Sequence, residues 1–179
     1  MTDPTTLHAV TVLGHDRPGI IADTTARLAD LGLNLEDSTM TLLRGQFAMM
    51  LLCAGGDATL TQGEIEAALA PLTVDGTLDV TVREVRSPGP GAGAGSPWLL
   101  TVHGGDRPGI VSSLVSRIAE VGGNITDLTT RLAGGLYLLI AEIDLPAQAD
   151  ADALVAVVGE TAASLDVTAT LRPTDPDEL

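Results

Sequence analysis

The sequence contains no lysine, and its nine basic residues are arginines that occur singly along the chain. Its 24 acidic residues give a formal net charge of −15. Because binding to nucleic acid through its phosphates needs clustered basic side chains, this composition argues against direct contact with nucleic acid. The acidic surface instead favours solubility and repels polyanions.

Cysteine, histidine and aromatic residues are also scarce. Cys53 is the only cysteine, so no disulfide can form within the chain, and its place in the apolar run 47–54 predicts a buried, unreactive thiol. The three histidines, His8, His15 and His103, show no metal-ligand spacing. We therefore expect no metal, no cofactor and no catalytic residues.

Long hydrophobic runs are missing as well. The longest are about eight residues, whereas a membrane-spanning helix needs about 20. Residues 1–6 lack the basic stretch followed by an apolar one that marks a signal peptide. The sequence therefore predicts a cytoplasmic protein without membrane contact.

What the chain does contain is a repeat. The pentapeptide Asp-Arg-Pro-Gly-Ile occupies residues 16–20 and again residues 106–110, an offset of 106 − 16 = 90. Further identical pairs at this offset are Gly14 and Gly104, Gly32 and Gly122, Asn34 and Asn124, Asp37 and Asp127, and Gly45 and Gly135. We predict two domains, residues 1–86 and 98–173, joined by a Gly/Pro/Ala linker at 87–97 and followed by an acidic tail at 174–179.

Each copy shows strand and helix patterns in the order βαββαβ. A strand-like run precedes the pentapeptide, and apolar residues at helical spacing predict helices at 18–31 and 108–121. Asp16 and Asp106 are predicted as the N-caps of these helices, and Gly32 is predicted just past the end of the first. The pattern indicates an α+β fold, in which each four-stranded antiparallel sheet carries two helices on one face.

The third strands, within 47–54 and 136–143, are apolar on both faces. Two helices cover only one face of such a sheet, so another element must cover or adjoin the second face. We expect the two copies to pack on each other, and we expect the chains to associate further as homodimers.

The turn after each first strand has two interpretations. Pro18 is tolerated in the first helical turn, and Gly19 has no Cβ, so a backbone or a small ligand can approach closely. Unpaired N–H groups at the start of a helix favour a carboxylate at this position. The alternative is a tight strand-to-helix turn that binds nothing.

Two βαββαβ units, each with Asp-Arg-Pro-Gly-Ile after the first strand and Gly-x-Asn-[Leu/Ile] at the second, resemble tandem ACT domains. These are ferredoxin-like regulatory modules that commonly bind small amino acids. Through residues 13–20, 34–38 and 50–52, the first copy resembles the glycine cleavage system transcriptional repressor family. In ACT proteins that bind an amino acid, the ligand usually sits at an interface between two domains, held by the loop after the first strand and by an Asn at the start of the second.

The resemblance implies a set of ligand-binding residues in each copy. These are Gly14, Asp16, Pro18, Gly19, Ile20 and Asn34, with Gly104, Asp106, Pro108, Gly109, Ile110 and Asn124. The sequence departs from the serine-binding pattern of the family, because Gly14 and Gly104 replace a histidine, and Asp16 and Asp106 replace an asparagine. The identity of the ligand is left open by these replacements.

The resemblance also implies a function. We expect a non-catalytic regulatory protein that binds a small amino acid of the glycine or serine class at ACT-domain interfaces. It would signal by protein contact, to a transcription factor or a metabolic enzyme of glycine, serine or one-carbon metabolism. The alternative is a structural module for oligomerisation, in which the amino-acid sites are vestigial.

Overall fold

The computed structural model describes residues 6–55, 60–86 and 95–174. The chain divides into two compact units, Met1–Gly89 and Pro90–Leu179, which are called the first and second units below. Residues 87–94 of the predicted linker and 175–179 of the predicted tail lie outside the described residues. The linker was predicted to end at Pro97, and this is wrong, because Ser96 and Pro97 pair with Leu145 and Asp144 as the start of a strand.

The first unit folds in the predicted order. Its elements are β1 (Thr6–His15), α1 (Ile20–Asp30), β2 (Leu33–Leu43), β3 (Gln46–Gly55), α2 (Gln62–Leu69) and β4 (Leu78–Arg86), with a 3-10 turn at Ala70–Leu72 after α2. The strands form one antiparallel sheet in the order β2-β3-β1-β4. The edge strands are therefore β2 and β4.

The second unit repeats this arrangement. Its elements are β5 (Ser96–Gly105), α3 (Ile110–Glu120), β6 (Asn124–Ala133), β7 (Leu136–Leu145), α4 (Ala151–Ser164) and β8 (Val167–Pro173). The sheet order β6-β7-β5-β8 matches that of the first unit strand by strand. The predicted α+β, ferredoxin-like fold is confirmed in both copies.

The core of each unit lies between the helices and one face of its sheet. In the first unit, Val10 and Val12 of β1, on either side of the exposed Thr11, pack with Leu28 of α1 and Leu69 of α2. Cys53 lies in the same core, and its burial raises the pKa of the thiol, as expected for an unreactive cysteine. The helices thus cover one face only.

The third strands are apolar on both faces, as predicted. Met49 is buried on the helix side of β3, whereas its neighbour Met50 is 46% exposed on the other side. In β7, Leu139 is buried and Ile140 is 39% exposed. Association of the chain into homodimers stays a prediction.

The predicted N-caps are wrong. The helices begin two residues later than expected, and the residues before them are Gly19, with φ 93°, and Gly109, with φ 94°, neither of which provides a side-chain cap. Only glycine adopts this left-handed backbone without strain. Asp16 instead uses its backbone N–H to donate to the carbonyl oxygen of Gly45 at 3.0 Å, which holds it against the turn between β2 and β3. Asp106, at the equivalent place, likewise precedes the helix by four residues.

Candidate functional site

The loop of residues 16–19, called the first loop, is fastened to the sheet at its start. The backbone N–H of His15 donates to the carbonyl oxygen of Thr77 at 3.0 Å, next to the Asp16–Gly45 bond described above. The side chain of Gln46 lies 3.2 Å from Nδ1 of His15. The loop that leads into α1 therefore starts from a fixed point, as a preorganised binding site requires.

Gly14 and Gly104 are required by packing against the last strand of each sheet. A Cβ on Gly14 would overlap the carbonyl oxygen of Thr77, and a Cβ on Gly104 would lie 2.8 Å from Cγ1 of Val167. The backbone at these two positions leaves little room for a side chain. These two glycines can offer a ligand only backbone atoms.

The start of each helix presents unpaired backbone N–H groups. The first N–H of α1 to find a helical partner is that of Asp23, which donates to the carbonyl oxygen of Gly19 at 2.8 Å. Ser113 donates to Gly109 in the same way at 2.9 Å. The three N–H groups before each of these residues have no partner within the helix, and the positive end of the helix dipole lies with them. The arrangement favours a carboxylate.

The isoleucines and prolines of the pentapeptide have scaffold positions. Ile20 and Ile110 are each 1% exposed and belong to the cores of their units, so their side chains anchor the helices. Pro18 and Pro108 are exposed and lie just before the helices. What these residues can present to a ligand is the shape of the loop.

A pocket of about 310 Å³ lies beside the first loop. Its lining residues are Asp16, Arg17, Gly19, Ile20, Ile21, Ala22, Met40 and Phe47. The volume lies at the small end of the range for ligand pockets, which suits a free amino acid. Ile21 is 45% exposed and Met40 is 47% exposed, so the pocket is open on the side of β2.

Ile21, Ala22, Met40 and Phe47 were missed by the sequence analysis. The repeat marked residues that are identical in both copies, and none of these four is, since Val111, Ser112, Thr130 and Tyr137 stand at the same offset. The predicted topology could have identified them. In a βαββ unit the second strand runs parallel to the first, so its end lies level with the loop that follows the first strand.

Asn34 lies far from the loop of its own unit. His15 pairs with Gln46 at one end of β3, and Asn34 pairs with Ala54 at the other end. The two positions on β3 are 54 − 46 = 8 residues apart, which is about 26 Å at a rise of about 3.3 Å per residue. The residues that the resemblance assigned to one site are therefore separated within the first unit.

The second unit shows the same separation. Gly105 pairs with Leu136 and Asn124 pairs with Asp144, again 144 − 136 = 8 residues apart along β7. The topology imposes this distance, because each first helix carries the chain back along the sheet before the next strand begins. Neither unit alone brings its loop and its asparagine together.

Within residues 6–55, 60–86 and 95–174, no group of three His, Cys, Asp or Glu side chains could hold a metal ion. In the same residues, no helix has the length and apolar character needed to cross a membrane.

The fold and the loops define a tandem of ferredoxin-like modules with a polar loop at the start of each first helix. The family model of the ACT domain matches residues 7–83 and 96–171. The chain belongs to the ACT-domain family.

Known proteins are similar to this chain in sequence or in structure. A UPF0237 protein of Methanopyrus kandleri is 38% identical over 74 residues, which cover 41% of this chain and 82% of that protein. The glycine cleavage system transcriptional repressor of Escherichia coli is 30% identical over 122 residues, 68% of this chain and 63% of that protein. A solved structure of an unknown protein from Galdieria sulphuraria matches with a TM-score of 0.81 at 26% identity, over 96% of this chain and 99% of that one.

Proposed function

We propose that this ACT-domain protein is a non-catalytic sensor of a small amino acid, and that it signals by contact with another protein. The observation that carries the proposal is the separation of each loop from the asparagine of its own unit. A site that uses both groups must draw them from two ACT units. Ligand binding is then coupled to association, which is what a regulator needs.

The first loop offers complementary groups for the charged ends of an amino acid. The N–H groups at the start of α1 suit the α-carboxylate, and the exposed carboxylate of Asp16 suits the α-ammonium. The pocket beside them, lined by Met40 of β2, accommodates the side chain. All three parts lie at the same end of the sheet.

Pairing through the edge strand β2 would bring Asn34 of one chain close to the first loop of another. Its outer edge has unpaired backbone groups, as every edge strand has. Asn34 lies at the start of β2 and Met40, beside the pocket, lies near its end. If β2 pairs antiparallel with β2 of a second chain, the start of one strand lies beside the end of the other. Asn34 of each chain then lies at the same level along the joined strands as the loop pocket of its partner.

A second candidate function is a structural module for oligomerisation. Exposed apolar side chains on β2 favour it, since Met40, Leu42 and Leu43 are 47%, 49% and 52% exposed. In this alternative, chains would associate through the same edge and the loops would bind nothing. The two candidates differ only in their response to an added amino acid.

The downstream partner is proposed from the name of a relative. The Escherichia coli relative is named as a transcriptional repressor of the glycine cleavage system. We propose a transcription factor or a metabolic enzyme as the partner, and a net charge of −15 argues against direct contact with DNA. The glycine or serine class of effector and the cytoplasmic location also stay predictions.

Calorimetry of the full chain against the common amino acids, with sedimentation velocity in parallel, tests the sensor. We expect one or more amino acids to bind at micromolar to millimolar concentration and to stabilise the dimer. Asp16→Ala should weaken binding by about tenfold or more, because the ammonium loses its charged partner. Asp30→Ala is the matched control, since Asp30 is an exposed aspartate at the other end of α1. Absence of any binding at millimolar ligand would reject the sensor and leave the structural module.

A further inference from the structure

We propose that the two loop sites bind amino acids of different side-chain class: an apolar side chain of the valine-to-methionine size at the first loop, and a small hydroxyl-bearing side chain at the second loop, residues 106–109. The inference rests on the proposed sensor function and gives each site its own ligand class. It follows from the residues that differ between two otherwise matching loops.

The side-chain part of the first pocket is apolar. Ile21 and Ala22 come from the first turn of α1, Met40 comes from β2, and Phe47 comes from β3. None of these four side chains carries a hydrogen-bonding group other than the weak thioether acceptor of Met40. A hydroxyl placed among them would lose its bonds to water without replacement.

The equivalent positions of the second unit are polar. They are Val111 and Ser112 in the first turn of α3, Thr130 in β6 and Tyr137 in β7. Three of the four therefore bring a hydroxyl, where the first unit brings none. Ser112 is exposed, and Thr130 and Tyr137 are half-buried.

The strand register shows that these positions are equivalent in space and not only in sequence. Met40 pairs with Met49 as Thr130 pairs with Leu139. Phe47 pairs with Gly14, and Tyr137 pairs in the same way with Gly104. The two sets of side chains therefore occupy the same places on the two sheets.

The chemistry favours opposite ligands at the two sites. The first pocket gains from each methylene that it removes from water, so it should prefer leucine, isoleucine or methionine to glycine. Thr130 and Tyr137 bring hydroxyls that can bind a ligand hydroxyl and that an apolar ligand would leave without a partner, whereas Ser112 already donates to the carbonyl oxygen of Gly109 at 3.1 Å. Serine or threonine should therefore be preferred there.

The test is calorimetry of the full chain with leucine and serine, each titrated alone and after saturation with the other. Two separate sites predict that saturation with one ligand does not prevent binding of the other, whose affinity should be equal or tighter because both ligands favour the same association. Met40→Thr, which gives the first pocket the side chain of the second, should weaken leucine binding about tenfold or more and leave serine binding unchanged. Thr130→Met should weaken serine binding and leave that of leucine unchanged.

Met50→Thr is the matched control. Met50 is a methionine of the same sheet, similarly exposed at 46%, but it lies outside the pocket lining. It should leave both affinities unchanged, and a thermal melt of each variant verifies that the fold is kept. An effect of Met50→Thr equal to that of Met40→Thr would contradict the assignment.

The possible outcomes distinguish failure of this inference from failure of the proposed sensor function. Simultaneous binding of leucine and serine, each weakened only by the variant of its own site, supports the inference. Binding of glycine or serine alone, or competition of leucine and serine for one site, overturns the inference and leaves the sensor standing. No binding of any amino acid at millimolar concentration rejects both.

Discussion

The same arginine of the repeated pentapeptide has different partners in the two units. Arg17 pairs with Asp23 of α1 at 3.3 Å, whereas Arg107 pairs with Asp166, just before β8, at 2.7 Å. Two differences accompany this change, because Ser113 stands where the first unit has Asp23, and Asp166 precedes β8 where Thr77 precedes β4. The first helix therefore carries an acidic residue in its first turn, and the second does not.

This comparison shows which residues build the ACT scaffold and which can set its ligand. Gly14, Gly19 and Ile20 recur identically and are explained by close approach, left-handed backbone and core packing. Of the eight residues that line the pocket, Ile21, Ala22, Met40 and Phe47 are not repeated. Identity between the two units therefore marks the backbone and the loop, and difference marks the side-chain part of each pocket.

The largest effect is expected from Gly14→Ala. The new methyl group would overlap the carbonyl oxygen of Thr77 and lie 2.9 Å from the Cα atom of Leu78, both of which are backbone atoms that cannot rotate away. We expect a loss of about 3 kcal/mol or more in the free energy of unfolding. Gly104→Ala should cost less, because its nearest neighbour is a methyl group of the Val167 side chain.

Urea unfolding followed by circular dichroism measures both variants. The fluorescence of Trp98, the only tryptophan, reports the second unit. The control is Gly45→Ala, where φ is 83° but no atom lies within 4 Å of the new Cβ; we expect it to cost about 1 kcal/mol from backbone strain alone. Equal losses for Gly14→Ala and Gly45→Ala would show that close approach is not the cause.

The second helices of the two units have different N-caps. Removing either cap should lower the free energy of unfolding by less than Gly14→Ala does. The side chain of Thr61 caps α2 and forms a capping box with Glu64, whereas Asp150 caps α4 by accepting from the N–H of Ala153 at 3.0 Å. Thr61→Ala and Asp150→Ala should each cost about 1 kcal/mol at neutral pH. Thermal melts of the two variants give the comparison.

The contribution of the Thr61 cap should depend on pH. The backbone N–H and the hydroxyl of Thr61 donate to the carboxylate of Glu64 and lower its pKa in the folded state. A lowered pKa means that the stabilisation is present above the ordinary value of 4.5 and is lost as the pH falls through the folded value. The destabilisation by Thr61→Ala should therefore shrink below pH 4.5. A cost that is independent of pH would contradict the role of Glu64.

The smallest effect on stability is expected from Asp23→Ser, which gives α1 the residue of α3. The Arg17–Asp23 pair is largely exposed, with side chains that are 36% and 52% accessible, so its loss should cost less than about 1 kcal/mol. The affinity for the amino acid, in contrast, should increase. Without the negative charge of Asp23 near the helix start, a ligand carboxylate should bind a few-fold more tightly.

Calorimetry with the amino acid that binds the first site measures the affinity change. Ser113→Asp is the reverse substitution and should weaken binding at the second site by a similar factor. Weaker binding of the amino acid by Asp23→Ser would contradict a carboxylate at the start of α1.

The order of elements could be predicted from the sequence because local signals agree with the fold. Gly32, with φ 74°, ends α1 as its position indicated, and the alternating apolar residues place the strands correctly. The helix starts could not be predicted, because Asp16 is a favoured cap by residue type. Its backbone is held instead by Gly45, a contact between residues distant in sequence.

The site was predicted less well than the fold. The loop residues lie beside a pocket, but the resemblance placed Asn34 with them, and the sheet puts about 26 Å between the two by its rise per residue. The βαβ topology alone could have given this separation. Met40 could not be found from the repeat, because its counterpart is Thr130.

The central claim is that an amino-acid site joins the first loop of one chain to Asn34 of a second chain. Mixing two variants tests this claim most directly. Asp16→Ala and Asn34→Ala should each weaken binding at the first site by about tenfold or more when measured alone. In an equal mixture, half of the dimers contain one chain of each kind, and one of their two sites has both groups intact. The mixture should therefore regain about a quarter of the wild-type binding capacity at wild-type affinity. A mixture that binds no better than either variant alone would contradict the claim.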